Sequence, residues 1–206
     1  IVKVHTSEPG LYGLGCATFT QRFHAVVAAI EKHLKPFVVG RDVDRIEEIY
    51  QMSCVHSYWR NGPVLNNAIS GIDQALWDIK GKRAGMPVYQ LLGGKCREAV
   101  DCYAHAAGDD IPRVIESAKR HIANGFRHVR VQIGVPGQAG YGSGRSDVKV
   151  EKLHNSPVFE PEDYLRRAVK MMDACRKELG DEIELLHDLH ERISPIQAIR
   201  LMKETE

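Results

Sequence analysis

The chain has 206 residues, 43% hydrophobic and 27% charged, an ordinary globular balance with length for one large core or two small ones. Its 28 Lys and Arg face 27 Asp and Glu, a net charge of +1, which argues against nucleic acid or an anionic membrane as partner. No apolar run approaches the ~18 to 20 residues of a membrane span and no basic-then-apolar signal opens the chain, so a cytoplasmic setting is expected.

In chain order, residues 1–5 alternate apolar and polar, Ser7-Glu8-Pro9-Gly10 marks a turn, and residues 11–18 are glycine-spaced extended chain, together most of a hairpin. An earlier strand is expected to precede it. Phe23, Val26, Val27, Ile30 and Leu34 recur at helical spacing and Pro36 should end that helix, after which Asp44 should cap a short helix through Ile46, Ile49 and Tyr50. Residues 56–63 read as loop. A long amphipathic helix over about 64–83 follows, with Ile69, Ile72, Leu76, Trp77 and Ile79 on one face, and Gly85-Met86-Pro87 stops it before a tight connector at 88–94. A hairpin followed by helices is an α+β arrangement.

Beyond Lys95 the pattern becomes strand 99–106, helix 112–124, strand 126–133, helix 161–179, strand 183–186 and helix 195–203. Three strand-helix alternations are the signature of parallel β/α units. The expected domains are therefore 1–95 and 96–206. Three units cannot close an eight-stranded barrel of ~250 residues, so either an open sheet or a truncated barrel is expected. The five cysteines are scattered without a Cys-x-x-Cys pair and the ten histidines without His-Glu-x-x-His spacing, which leaves reduced, inert thiols as the default.

The C-terminal ends of parallel strands carry the chemistry in such folds. His105 ends the first strand, Arg130 and Gln132 lie toward the end of the second, and Asp188 and His190 follow the third. In extended chain, Asp188 and His190 would project to one side, a carboxylate for a hard cation beside an imidazole that moves a proton. The segment 134–158 is longer than the ~12 to 15 residues usual for a structureless connection and contains Tyr141. Its glycines lack the lysine-serine pair of a phosphate cradle.

The run Asn67-Ala68-Ile69-Ser70-Gly71-Ile72-Asp73-Gln74-Ala75-Leu76-Trp77-Asp78-Ile79-Lys80-Gly81-Lys82, continued by Gly85-Met86-Pro87-Val88-Tyr89-Gln90-Leu91-Leu92-Gly93-Gly94, resembles the capping domain of the enolase superfamily. Arg130-Val131-Gln132, the Gly134-Val135-Pro136-Gly137 that follows, Tyr141-Gly142 and His187-Asp188-Leu189-His190-Glu191-Arg192 resemble its mannonate dehydratase branch, which includes starvation-sensing proteins. The resemblance implies an α+β capping domain lacking its first strand, then the first β/α units of a (β/α)-barrel whose second half lies beyond Glu206. It implies Mg²⁺ as cofactor with Asp188 as the first of three carboxylate ligands, the other two also beyond Glu206. It implies Tyr141, assisted by Arg130, as the base that takes the proton α to the substrate carboxylate, since a guanidinium neighbour favours the phenolate. His190 would protonate the departing 3-hydroxyl, and His105 would contact substrate. The implied reaction dehydrates a small acid sugar, such as D-mannonate, to a 2-keto-3-deoxy acid, in a homo-oligomer.

Two features depart from that pattern. Where the active dehydratases of the branch have asparagine in the capping loop, this chain reads Ala17-Thr18-Phe19-Thr20-Gln21-Arg22. Thr20 cannot reproduce an amide's two-sided hydrogen bonding, and Gln21 is the residue that could reach in instead. The spacing from Arg130 to Tyr141 is also one residue shorter than the branch's usual loop. The alternative reading is thus a family member with its metal site intact that has lost dehydration and serves a regulatory or binding role.

Overall fold

The computed structural model describes residues 1–19, 22–135 and 158–206, which fall into two compact units, Ile1–Glu98 and Ala99–Glu206. No helix among the described residues is long and apolar enough to cross a membrane.

The first unit is an antiparallel hairpin packed on helices. Strands β1 (Val2–His5) and β2 (Tyr12–Gly15) pair with Val2 opposite Gly15 and His5 opposite Tyr12. Helix α1 (Phe23–Ala29) continues through a π-helical segment, Ile30–Leu34, into α2 (Lys35–Val38). Pro36 was expected to stop this helix. It sits instead in the first turn of α2, after the hydrogen bonding has changed register, where its missing N–H removes nothing. Helix α3 (Ile46–Val55) begins without a side-chain cap. Asp44, expected to cap it, pairs with Arg83 at 2.7 Å, because an exposed guanidinium within reach competes for the same carboxylate. Helix α4 (Pro63–Ala84) is the unit's central element and ends on Gly85 in the left-handed conformation, φ 65°. A single turn, α5 (Val88–Leu91), follows it.

The glycines of β2 have a steric reason. A Cβ on Gly13 would overlap the Ala75 carbonyl, and one on Gly15 the Gly71 carbonyl, so only bare backbone lets α4 lie directly on the hairpin. That approach also closes the outer edge of β2. The Leu14 amide donates to Asp78 Oδ2 at 2.8 Å, the Cys16 amide to Gln74 Oε1 at 3.0 Å, and Lys82 Nζ donates to the Tyr12 carbonyl at 2.8 Å. Gln74, Asp78 and Lys82 stand four residues apart, so one helical stripe satisfies an edge that would otherwise be open. Val26, Leu34, Ile49, Ile72, Leu76 and Ile79 fill the core beneath.

The second unit is a three-stranded parallel sheet in the order β3 (Tyr103–Gly108), β4 (His128–Ile133), β5 (Glu184–Leu186). Helix α6 (Ile111–Ala123) connects the first two strands, α7 (Pro161–Leu179) leads into the third, and α8 (Pro195–Thr205) follows it. Asp110 caps α6 through the Arg113 amide, and Ser194 and Gln197 form a capping box on α8. Ala106, Val129, Val131, Ile133, Val114, Met171 and Cys175 form the core between strands and helices. Every residue of β4 from Val129 to Ile133 is buried, so Arg130 and Gln132, which alternate with the valines, occupy the opposite face.

Two outcomes test this packing. Gly15→Ala should lower stability by about 1–3 kcal/mol, read by denaturant unfolding, because helix and hairpin must separate to admit the methyl group. Burial pushes the Cys175 thiol up to about 11. Its folded-state value is raised, so its contribution to stability is full below the unfolded value and is lost as pH rises through the folded one. At pH 8 Cys175 should therefore resist thiol reagents until denaturant is added, whereas exposed Cys16, Cys96 and Cys102 react in the folded protein.

Candidate active site

The site lies on one face of β3 and β4 and just past the end of β5, where parallel register sets His105 beside Arg130 and Arg130 beside Leu186; His105, expected to end its strand, lies inside β3, which runs on to Gly108. Arg130 is 6% exposed and holds the cluster together. Its Nη1 donates to Asp188 Oδ2 at 2.9 Å and its Nη2 to His105 Nδ1 at 3.0 Å, while its buried Nε has no hydrogen-bond partner among the described residues. A guanidinium can only donate, so His105 Nδ1 accepts and the neutral ring carries its proton on Nε2. Burial first, then Arg130 and His121, hold His105 below the ordinary imidazole range against the opposing pull of Asp188.

Strand periodicity sorts the residues after β5. His187 continues the helix-facing side with Leu185, and Asp188 continues the face of Arg130 and Gln132. Extended chain was expected to carry His190 to that face as well, but β5 ends at Leu186. The chain turns instead, with Asp188 Oδ1 accepting from the His190 amide at 3.0 Å and with His190 and Glu191 at φ 48° and 56°. This Asx turn brings His190 Nε2 to 3.1 Å from Asp188 Oδ2. The left-handed backbone at two successive non-glycine residues is held by its neighbours, as is common at functional sites.

Gln132 secures the turn from β4. Its Nε2 donates to the Asp188 carbonyl at 2.8 Å and faces His190 Nδ1 at 3.1 Å. Because the Asp188 carbonyl only accepts, the amide nitrogen must lie there, and His190 Nδ1 is the acceptor in the neutral ring. The amide's other end, Oε1, is buried without a hydrogen-bond partner among the described residues. Burial raises the Asp188 carboxyl, but the His190 amide, the His190 ring, the Arg130 guanidinium and the His187 ring outweigh it and hold the group below the ordinary carboxylate range. His190 is held below the imidazole range by burial and by Arg192, Arg130 and His105, with Asp188 opposing.

Of the residues singled out from the sequence, the structure brings His105, Arg130, Asp188 and His190 together. Tyr141, Thr20 and Gln21 lie outside the described residues. Gln132 was marked by its strand position and by the Arg130-Val131-Gln132 motif, without a role of its own. Three participants went unrecognised: His187, Tyr164 and Arg192. Tyr164 stands within a helix and so reads as packing, and His187 and Arg192 were quoted only as part of the motif that follows the apolar run, without roles of their own. Arg192 is buried, lies 5.5 Å over the Tyr164 ring, and leaves Nη1 without a hydrogen-bond partner among the described residues. Among the described residues no group of three or more His, Cys, Asp or Glu is arranged to hold a metal ion. Asp188 by itself fits as one oxygen ligand of a hard cation, being ionised and facing the cluster.

Comparison with known proteins adds the context of the fold. Residues 1–93 match the N-terminal domain of the mandelate racemase / muconate lactonizing enzyme family. A D-galactonate dehydratase family member, RspA, from Pantoea ananatis is 50% identical over 219 residues, covering all of this chain and 52% of the relative. A D-galactonate dehydratase family member from Catenulispora acidiphila is also 50% identical, over 206 residues that cover all of this chain and 48% of the relative. The crystal structure of an enolase from Pantoea ananatis with bound D-gluconate and Mg superposes with a TM-score of 0.80 at 48% identity, over 97% of this chain and 51% of that one. The chain spans about half the length of the curated relatives it matches. The architecture is an α+β capping domain followed by the start of a (β/α)-barrel.

The Arg130 contact predicts a titration. In metal-free protein the Asp188 carboxyl is depressed, so its contribution to stability is present above the unfolded value of about 3.9 and is lost as pH falls through the folded value. Arg130→Met should move the Asp188 titration, followed by carbon-13 NMR, to higher pH. An unchanged titration would show that the guanidinium does not hold this carboxylate.

Proposed function

We propose that this chain, which belongs to the enolase superfamily, supplies the proton-transferring groups and one metal ligand of a Mg²⁺-dependent sugar-acid dehydratase. The observation that carries the reading is the cluster of Asp188, Arg130, His105 and His190 on one face of a parallel sheet and the turn that follows β5, in a chain half identical to D-galactonate dehydratase family members. The substrate is a small aldonate such as D-mannonate, and the product a 2-keto-3-deoxy acid.

The roles of Asp188, Arg130, His105 and His190 draw on the geometry above, and that of Tyr141 on the resemblance alone. Asp188 would hold Mg²⁺ together with ligands outside the described residues. When bound, Mg²⁺ supplies positive charge against the substrate carboxylate as the α-proton leaves. Tyr141 takes that proton as phenolate. Arg130 is, by the resemblance, the cation that would lower the phenol's proton affinity. The electron pair left at the α-carbon delocalises into the carboxylate and then expels the 3-hydroxyl. His190 would give that oxygen a proton so that it departs as water, a step for which the ring must first be charged and Nδ1 released from the Gln132 amide; Asp188 at 3.1 Å would then stabilise the charged ring. His105, with Nδ1 occupied by Arg130, presents an Nε2–H donor to a substrate oxygen.

Thr20 supports a second reading. With a hydroxyl where the branch's dehydratases have asparagine, the capping loop would lack an amide for the distal sugar hydroxyls, and unmatched polar groups cost large factors in discrimination. A metal-binding family member with a regulatory or ligand-binding role fits that substitution.

Full-length protein loaded with Mg²⁺ and assayed against a panel of aldonates separates the two. We expect turnover of at least one acid, reduced about 10³-fold or more by Tyr141→Phe and by Asp188→Asn. A silent panel on metal-loaded protein would leave only the binding role.

A further inference from the structure

We propose that Tyr164 and His187 form a clamp that positions Asp188; this deepens the reading of Asp188 as a Mg²⁺ ligand and rests on it. The pairing of β4 with β5 stops at Arg130 opposite Leu186. The Val131 carbonyl, next in line on the helix-facing side, receives the side chain of His187 through Nδ1 at 2.9 Å. A carbonyl only accepts, so Nδ1 carries the ring proton. Neutral imidazole has a single N–H, which leaves Nε2 as a lone pair, and the Tyr164 hydroxyl lies 2.8 Å from it and donates. Both ring nitrogens are therefore engaged, and rotation of the ring would break both bonds.

The two anchors belong to elements formed independently of the site. Val131 is fully buried in the central strand, and Tyr164 is fully buried in α7, packed beside Leu165 and Phe159. The His187 and Tyr164 rings lie 6.0 Å apart and 25° from parallel. The chain is thus pinned on its helix-facing side one residue before Asp188. Asp188 itself lies on the opposite face, where Gln132 holds its carbonyl. Neither Tyr164 nor His187 shares the face of Arg130, so their effect on chemistry passes through the placement of Asp188 and the turn to His190. Such outer partners commonly change metal affinity when removed.

Two measurements on the full-length protein test the clamp. Long-range proton–nitrogen NMR should find His187 in the Nδ1–H tautomer, the form that free histidine disfavours; the Nε2–H form or a mixture overturns the proposal. Calorimetric titration with Mg²⁺ should show Tyr164→Phe, which removes a single hydroxyl, weakening affinity about 10–100-fold. His187→Asn, which retains a donor toward the Val131 carbonyl, should bind Mg²⁺ more tightly than His187→Ala and less tightly than wild type. A purely structural role predicts a lower unfolding midpoint with Mg²⁺ affinity unchanged, and that result overturns the clamp. If Tyr164→Phe fails to fold, the tautomer and the two His187 variants decide. Protein that binds Mg²⁺ through Asp188 but dehydrates no aldonate removes the dehydratase reading and leaves the clamp standing. Protein that binds no Mg²⁺ through Asp188 overturns it.

Discussion

A guanidinium buried in the middle strand of a sheet is the constraint from which the second unit's site follows. Arg130 stands between Val129 and Val131, both fully buried, and is itself almost without exposure. Removing such a cation from water costs several kcal/mol unless an anion and further acceptors meet it. Asp188 meets it from the end of β5 and His105 from β3, so the charge on the central strand recruits one group from each neighbour. Against burial, which raises it, the His190 amide and ring together with this contact hold the Asp188 carboxyl low, and the contact fixes the tautomer of His105. Breaking it from either side would leave an uncompensated charge, which is why the three side chains behave as one structural group before any ligand is considered.

The first unit solves an analogous problem with neutral backbone groups. Strand β2 leaves a carbonyl and two amides along its outer edge, and α4 reaches them with Gln74, Asp78 and Lys82. This requires the helix to lie closer than any side chain on β2 would permit, and Gly13 and Gly15 make that approach possible. A sequence rich in small residues on the strand and in polar residues at four-residue spacing on the helix is thus one device. The apolar stripe of the same helix faces the core through Ile72, Leu76 and Ile79.

Elements governed by local periodicity were legible from sequence, and those governed by competition were not. Helices α4 and α7 follow from their apolar spacing to within a residue or two, because amphipathic faces of that length have few other ways to be buried. Pro36 misled because the rule against interior proline assumes uninterrupted α-helical bonding, and the π-helical segment removes that assumption. Asp44 misled because a cap is chosen against every donor within reach, and Arg83 comes from a residue 39 positions away. At the site, strand parity was enough to place Arg130 and Asp188. It could not place His190, whose position depends on a left-handed turn formed by β-strand termination. The roles of Tyr164 and His187 were hidden for a related reason: each looks like ordinary core until its nitrogen or hydroxyl is matched to a partner in space.

The turn at Asp188 shows how a short segment can be strained and still rigid. Two successive non-glycine residues in the left-handed region would cost about 1–3 kcal/mol each if nothing held them. Here the turn is tied at its amide by Asp188 Oδ1, at its carbonyl by Gln132, and just upstream by the His187 ring. Those ties come from β4 and from the turn's own side chain, with α7 bracing the ring, so relaxing the backbone would sacrifice several hydrogen bonds at once. The strain therefore persists, and its result is a carboxylate and an imidazole held at 3.1 Å. A regular continuation of β5 would have spaced the same two residues along the strand, too far apart for one charge to act on the other at that range.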